Sequence, residues 1–142
     1  MRNTRKIGVA LWIVQVLLAL FFLSSGVPKL VLPPESLPMP IPLPEPFLLF
    51  VGVCETLGAI GLILPGVTRV QTSLTPLAAT GLVLVTICAT VYNLLGHQPE
   101  SAIFAVGVGI FAACVAYGRW RIAPLSSRSG SPSFNRQAQP AA

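Results

Sequence analysis

Four long apolar runs dominate the chain. They extend over about Ile7–Val27, Phe47–Leu64, Leu74–Leu95 and Ala102–Gly118, with polar or proline-rich stretches between them. A hydrocarbon core about 30 Å thick takes roughly 20 helical residues to cross, so such runs predict membrane-spanning helices. The pattern therefore predicts an all-α integral membrane four-helix bundle.

Local signals set the ends of these helices. Pro28 follows the first run and removes the backbone bond to the carbonyl of Ser24. Ser24 and Ser25 can satisfy the freed groups, so a kink is expected, with the helix running on through Lys29 to about Leu32. Pro65-Gly66 predicts the end of the second helix. Ser73-Leu74-Thr75-Pro76 predicts a hydroxyl cap with proline at the first helical position of the third. Gly96 predicts its end. The fourth helix carries Ala105, Gly109 and Ala113 at four-residue spacing, a stripe that lets membrane helices approach closely.

Three segments lie outside the runs. Residues 1–6 form a basic N-terminus. Residues 33–46 include LPMPIPLPEP, in which prolines at every second position exclude helix and favour polyproline II geometry. Leu37, Met39, Ile41 and Leu43 alternate with those prolines, which predicts that the segment lies against the bundle end or in the headgroup region. Residues 124–142, rich in Ser, Pro, Gln and Ala, are expected to be a disordered tail. The transmembrane domain is then residues 7–123.

Composition agrees with this division. The 142 residues are 54% hydrophobic and 9% charged, against about 25% charged in soluble domains. The first apolar run is longer than the roughly 7–15 residues of a signal peptide core, so it is read as an uncleaved helix. The net charge is +5, but the basic residues flank apolar runs and do not interleave with aromatics. That excludes a nucleic-acid partner and leaves the lipid bilayer as the principal one. With an internal N-terminus, Arg2, Arg5, Lys6, Arg69, Arg119, Arg121, Arg128 and Arg136 fall inside and only Lys29 falls outside. The positive-inside rule then predicts cytoplasmic N- and C-termini.

Few polar groups lie within the runs. Glu55 sits about 12 Å below the outer end of the second helix at about 1.5 Å per residue. An acid at that depth costs about 2.5–3.5 kcal/mol on insertion scales. It is therefore expected to face the bundle interior, and Lys29 is its natural partner. A helix-packing role for Glu55 and simple snorkelling of Lys29 are the alternatives. Asn93, His97 and Ser25 fall at similar depth, and Gln15 is the chief polar residue of the inner half. Together they suggest an outward-facing polar pocket roofed by the proline segment. Cys54, Cys88 and Cys114 form no CxxC pair and read as buried apolar residues, with a redox role for Cys54 and Cys88 left open. No metal-ligand spacing, nucleophile elbow, phosphate loop or haem motif is present. That argues against an independent enzyme.

The chain resembles the DoxX-like family. The resemblance rests on FFLSSGVPKL closing the first helix, FVGVCETLGAIGLILPG in the second, LTPLAATGLVL opening the third and VAYGRWRIAP closing the fourth. Many relatives carry a histidine at the end of the third helix, whereas here Asn93 sits in the helix and His97 follows Gly96. The resemblance implies a four-helix membrane bundle with Lys29 and Glu55 as polar positions of the family type. It also implies a loose link to respiratory chemistry, as an accessory subunit of a membrane oxidoreductase with a redox partner protein and a quinone as cofactor. The expected location is a prokaryotic plasma (inner) membrane. A small-solute or proton-coupled transporter, for which four helices would need a homo-oligomer, and a scaffold without catalytic activity are the other readings.

Overall fold

The computed structural model describes residues 2–68, 71 and 73–122. Four helices make up the bundle: α1 (Arg2–Val31), α2 (Glu45–Thr68), α3 (Leu74–Leu95) and α4 (Pro99–Tyr117). A π-helical turn, Gly118–Ile122, extends α4. All four helices are long and apolar enough to cross a membrane. Each packs against its neighbour in sequence, and α4 closes back on α1 through a thinner contact.

The inward face of each helix follows from the spacing of small and apolar residues. On α2, Leu48, Gly52, Glu55, Ala59, Leu62 and Pro65 are buried, at intervals of three and four that keep them on one side of a helix. Leu11, Leu18, Ala19 and Phe22 of α1 meet Ala59 and Leu62, Ala79 and Leu82 of α3, and Ala112 and Val115 of α4. The outer faces are equally apolar: Leu17, Phe50, Leu57, Leu84, Ile103 and Phe111 are all exposed. Acyl chains are the environment that accepts such a surface, while every helix keeps its backbone hydrogen bonds internal.

Several element ends differ from the sequence expectation. The basic residues before Ile7 are helical, because Arg and Lys are good helix formers and nothing in residues 2–6 breaks the turn. Pro28 lies inside α1, which runs on to Val31 as expected. Pro65 is also passed, since α2 continues to Thr68. There the Thr68 hydroxyl bonds back to the Leu64 carbonyl at 2.7 Å. Ser73 does not cap α3 with its side chain. It has helical angles (φ −66°, ψ −17°) and makes no side-chain cap bond. The turn is closed by backbone instead, Leu74 N–H to Gln71 O at 2.9 Å and Leu77 N–H to Ser73 O at 3.4 Å. Pro76 is accordingly the third helical residue, not the first. Helix α4 starts at Pro99, three residues earlier than expected, with proline at the first helical position. In the small-residue stripe, Ala105 is buried and Gly109 faces Thr86 closely, but Ala113 is exposed. The expected disordered tail, and Arg69, Arg128 and Arg136 of the charge pattern, lie outside the described residues.

The chain between α1 and α2 forms a strap across one end of the bundle. It opens with a 3-10 turn, Pro34–Ser36, and then extends. Leu37, Met39, Ile41 and Leu43 are half-buried while Pro38, Pro42 and Pro44 are exposed, the alternation expected of a segment laid on the bundle. One side chain holds its middle: the Tyr92 hydroxyl donates to Ile41 O at 2.5 Å and accepts from Ile41 N–H at 3.2 Å.

Beside that clasp, α3 ends in a way the sequence does not suggest. The left-handed position belongs to His97 (φ 56°), not to Gly96. Gln98 N–H bonds Asn93 O at 2.9 Å and His97 N–H bonds Leu94 O at 3.2 Å, the paired bonds of a Schellman end. Gly96 is needed for space, because a Cβ there would collide with Pro40 of the strap. The two requirements fall on adjacent residues, and packing takes the glycine. Gly96→Ala is therefore expected to cost about 1–3 kcal/mol by forcing the strap outward. His97→Gly should raise stability by up to about 1 kcal/mol by relieving a left-handed residue that has a Cβ. Thermal unfolding of the two variants in detergent checks both signs.

Candidate functional site

The site begins where α1 and α2 cross. A Cβ on Gly26 would lie 2.8 Å from Thr56 Oγ1 and 3.0 Å from Gly52 O; one on Gly52 would lie 3.0 Å from Lys29 Cβ and 3.1 Å from Gly26 O. Two glycines thus let the backbones meet, as small residues do between membrane helices. Lys29 stands one turn beyond Gly26, and Glu55 three residues after Gly52. Because Pro28 does not end α1, the two side chains face each other across the crossing.

Lys29 Nζ donates to Glu55 Oε2 at 2.6 Å. It also donates to Ser25 Oγ at 2.7 Å and Ser25 O at 3.1 Å. An ammonium has three protons, and each has an acceptor. The side chain of Glu55 is 8% exposed and that of Lys29 22%. No described residue donates to Glu55 Oε1. Glu55 lies ten residues into α2, about 15 Å along the axis and so deep in the span. Thr56 Oγ1, beside Gly26, is buried without a hydrogen-bond partner among the described residues.

A cleft of about 270 Å³ adjoins the pair at the strap end of the bundle. Lys29, the last residues of α1, Pro33 and Pro34 of the strap, and Glu45, Leu48 and Leu49 of α2 line it. Of the sequence-derived candidates, the fold brings Lys29, Glu55 and Ser25 together. Asn93 and His97 stand apart from them. Asn93 is half-buried and serves the end of α3 through its carbonyl, and His97 is exposed on the turn. All three cysteines are free; Cys88 and Cys114 are exposed on the apolar surface, not buried as expected, and Cys54 is half-buried.

A second polar cluster lies at the opposite end of the bundle. Gln15, fully buried, donates to Leu62 O at 2.6 Å and accepts from Arg119 Nε at 2.6 Å. Arg119 is 5% exposed and lies 5.7 Å from the Trp12 ring centre, within cation–π range. By its position after the fourth apolar run, Arg119 is expected at the interface as a flanking charge. The π-helical turn carries it inward instead, into contact with α1. Gln15 was visible as a lone polar residue, but nothing in the sequence names its partner 104 positions away.

A quinone, implied by the resemblance, would have to take its donors at this site from the Ser25 and Thr56 hydroxyls. Its two carbonyls need donors, and the Lys29 protons are all engaged. Among the described residues no group of three or more His, Cys, Asp and Glu is placed to hold a metal ion.

In comparison with known proteins, the model of the DoxX-like family matches residues 13–116. No curated protein and no solved structure matches the chain. The match spans both glycines of the crossing, the ion pair and Gln15.

The pair makes a direct prediction. Glu55→Leu should cost about 3 kcal/mol, the low end for breaking a buried pair because Lys29 keeps some exposure. Glu55→Gln should lose less, since the amide still accepts from Lys29. Lys29→Met with Glu55→Leu should recover most of the loss. Unfolding midpoints of the three variants in detergent measure this, and an unchanged Glu55→Leu midpoint would remove the pair from the structural argument.

Proposed function

We propose that this chain, which belongs to the DoxX-like family, is an accessory membrane subunit of an oxidoreductase system. In this reading Lys29, Glu55 and Ser25, with the cleft beside them, form its ligand-facing polar pocket. The observation that carries the reading is the ion pair in the apolar interior. Charges kept inside a membrane mark a functional site by default. The redox assignment comes from the family resemblance, and in this reading the association runs through protein contact.

The charge pattern supports an orientation for this unit. Among the described Lys and Arg residues, Arg2, Arg5, Lys6, Arg119 and Arg121 belong to the segments at the end where α1 starts and α4 finishes, and Lys29 alone to the other end. Both termini are then cytoplasmic, and the cleft opens on the far side of a plasma (inner) membrane.

A second reading, a proton- or solute-coupled carrier, is favoured by one observation. Of the chain's four acids, Glu55 alone is buried, and its Oε1 accepts no hydrogen bond from a described residue. A buried acid with one oxygen left open is the group such a carrier would use.

Two experiments test these proposals. Purification from membranes in mild detergent should retain a partner subunit with flavin, haem or iron–sulfur absorbance. If the preparation is colourless, and reconstituted vesicles acidify with the parent chain but not with Glu55→Gln, the carrier reading replaces the first. For the orientation, a membrane-impermeant maleimide should label Gln98→Cys in intact cells, in a background without the native cysteines, and Gln71→Cys only after permeabilisation. The reverse pattern overturns the topology.

A further inference from the structure

The cleft between the end of α1 and the start of α2 presents hydrogen-bond acceptors with almost no free donors. Its ammonium, Lys29, has all three protons engaged. The start of α2 adds one donor, the Glu45 amide, which has no hydrogen-bond acceptor among the described residues; Pro46 has no N–H, and the amides of Phe47 and Leu48 both go to Pro44 O, at 3.0 and 3.1 Å. The end of α1 has the opposite character. Leu32 N–H closes on Pro28 O at 2.8 Å, and the next two residues, Pro33 and Pro34, have no N–H. No described backbone amide beyond them reaches the carbonyls of Lys29, Leu30 or Val31. Those carbonyls carry the partial negative charge of a helix C-terminus. Glu45 adds a full negative charge, and no described residue pairs with its carboxylate.

We propose that this cleft binds a small organic cation, a protonated amine on a short apolar tail. The proposal rests on reading the cleft as a ligand site, and it names the ligand class. The ammonium head meets the Glu45 carboxylate and the open carbonyls at the end of α1, which are acceptors only. The tail lies along Leu32, Pro34, Leu48 and Leu49, a lining that a bare metal ion would leave unused. The volume, about 270 Å³, lies at the small end for ligand sites, which suits a short amine. A carboxylate head would face Glu45 and find no free cation. A carbonyl-only head would find only the Glu45 amide as donor and would leave the other acceptors unmatched.

The test uses the full chain in detergent and four probes of known chemistry: hexylammonium, hexanoate, a short-chain benzoquinone and calcium ion. Hexylammonium should raise the unfolding midpoint saturably, by roughly 5 °C or more at about 100 times Kd. Glu45→Gln, measured against its own unliganded midpoint because it also removes a first-turn acid of α2, should abolish most of that rise. Hexanoate, the benzoquinone and calcium should produce no saturable shift. An equal shift with hexanoate or the benzoquinone overturns the acceptor-only assignment and leaves the ligand site standing. An equal shift with calcium overturns the organic class. Retention of the hexylammonium effect in Glu45→Gln places binding elsewhere and overturns the proposal. If none of the four probes shifts the midpoint, the cleft fails as a ligand site, and the proposal fails with it.

Discussion

Contact between the backbones of α1 and α2 at Gly26 and Gly52 is the constraint on which the rest depends. Any side chain at either glycine would separate the helices. A wider gap would take Glu55 out of hydrogen-bond range of Lys29, leaving a carboxylate without a donor in an apolar medium. The same contact fixes where α1 stops relative to where α2 begins, and therefore the mouth of the cleft and the span the strap must bridge. Pro28 contributes by not ending α1: the turn that carries Lys29 exists only because the helix passes through it.

In lipid, helices gain little from hiding apolar faces from one another, because the tails outside are as apolar as the core. Close packing and interhelical hydrogen bonds take over. The bundle uses both, in two places. At the strap end, Lys29 and Ser25 of α1 meet Glu55 of α2. At the other end, Gln15 of α1 bonds the α2 backbone at Leu62 and the Arg119 side chain beyond α4. Helix α1 carries one half of each link and so holds α2 at two levels. Its thinner contact with α4 includes this buried arginine and the Trp12 ring over it.

Much of this was legible in the sequence. The four spans follow from hydrophobic runs, and the Lys29–Glu55 pair from a lone acid at mid-depth and a lone cation near the same end. The inward face of α2, with Gly52, Glu55 and Ala59, follows from helical spacing. What escaped depends on register between distant segments. Arg119 looked like a flanking charge because sequence shows that a helix ends but not that its last turn widens and swings inward. Gly96 looked like a left-handed helix end because glycine usually is one; that Pro40 needs its space is a tertiary fact. Ser73 looked like a cap because the alternative, a backbone-closed turn from Gln71, depends on a φ of 47° that no residue type announces. Pro65 looked like a stop because, in a membrane, neighbouring helices decide whether a proline breaks a helix or bends it.

The clasp at Tyr92 bears on how the molecule is made. Both backbone groups of Ile41 are satisfied by one phenol that lies 51 residues later in the chain. Synthesis proceeds from the N-terminus, so the strap leaves the ribosome well before the side chain that anchors it. Helices α1 and α2 can pair as soon as both are inserted, since Gly26, Gly52, Lys29 and Glu55 are all present by then. The connector between them stays loose until α3 arrives with Tyr92 and Gly96. Biogenesis therefore has a built-in order, in which the first hairpin matures before the segment crossing its end is fastened.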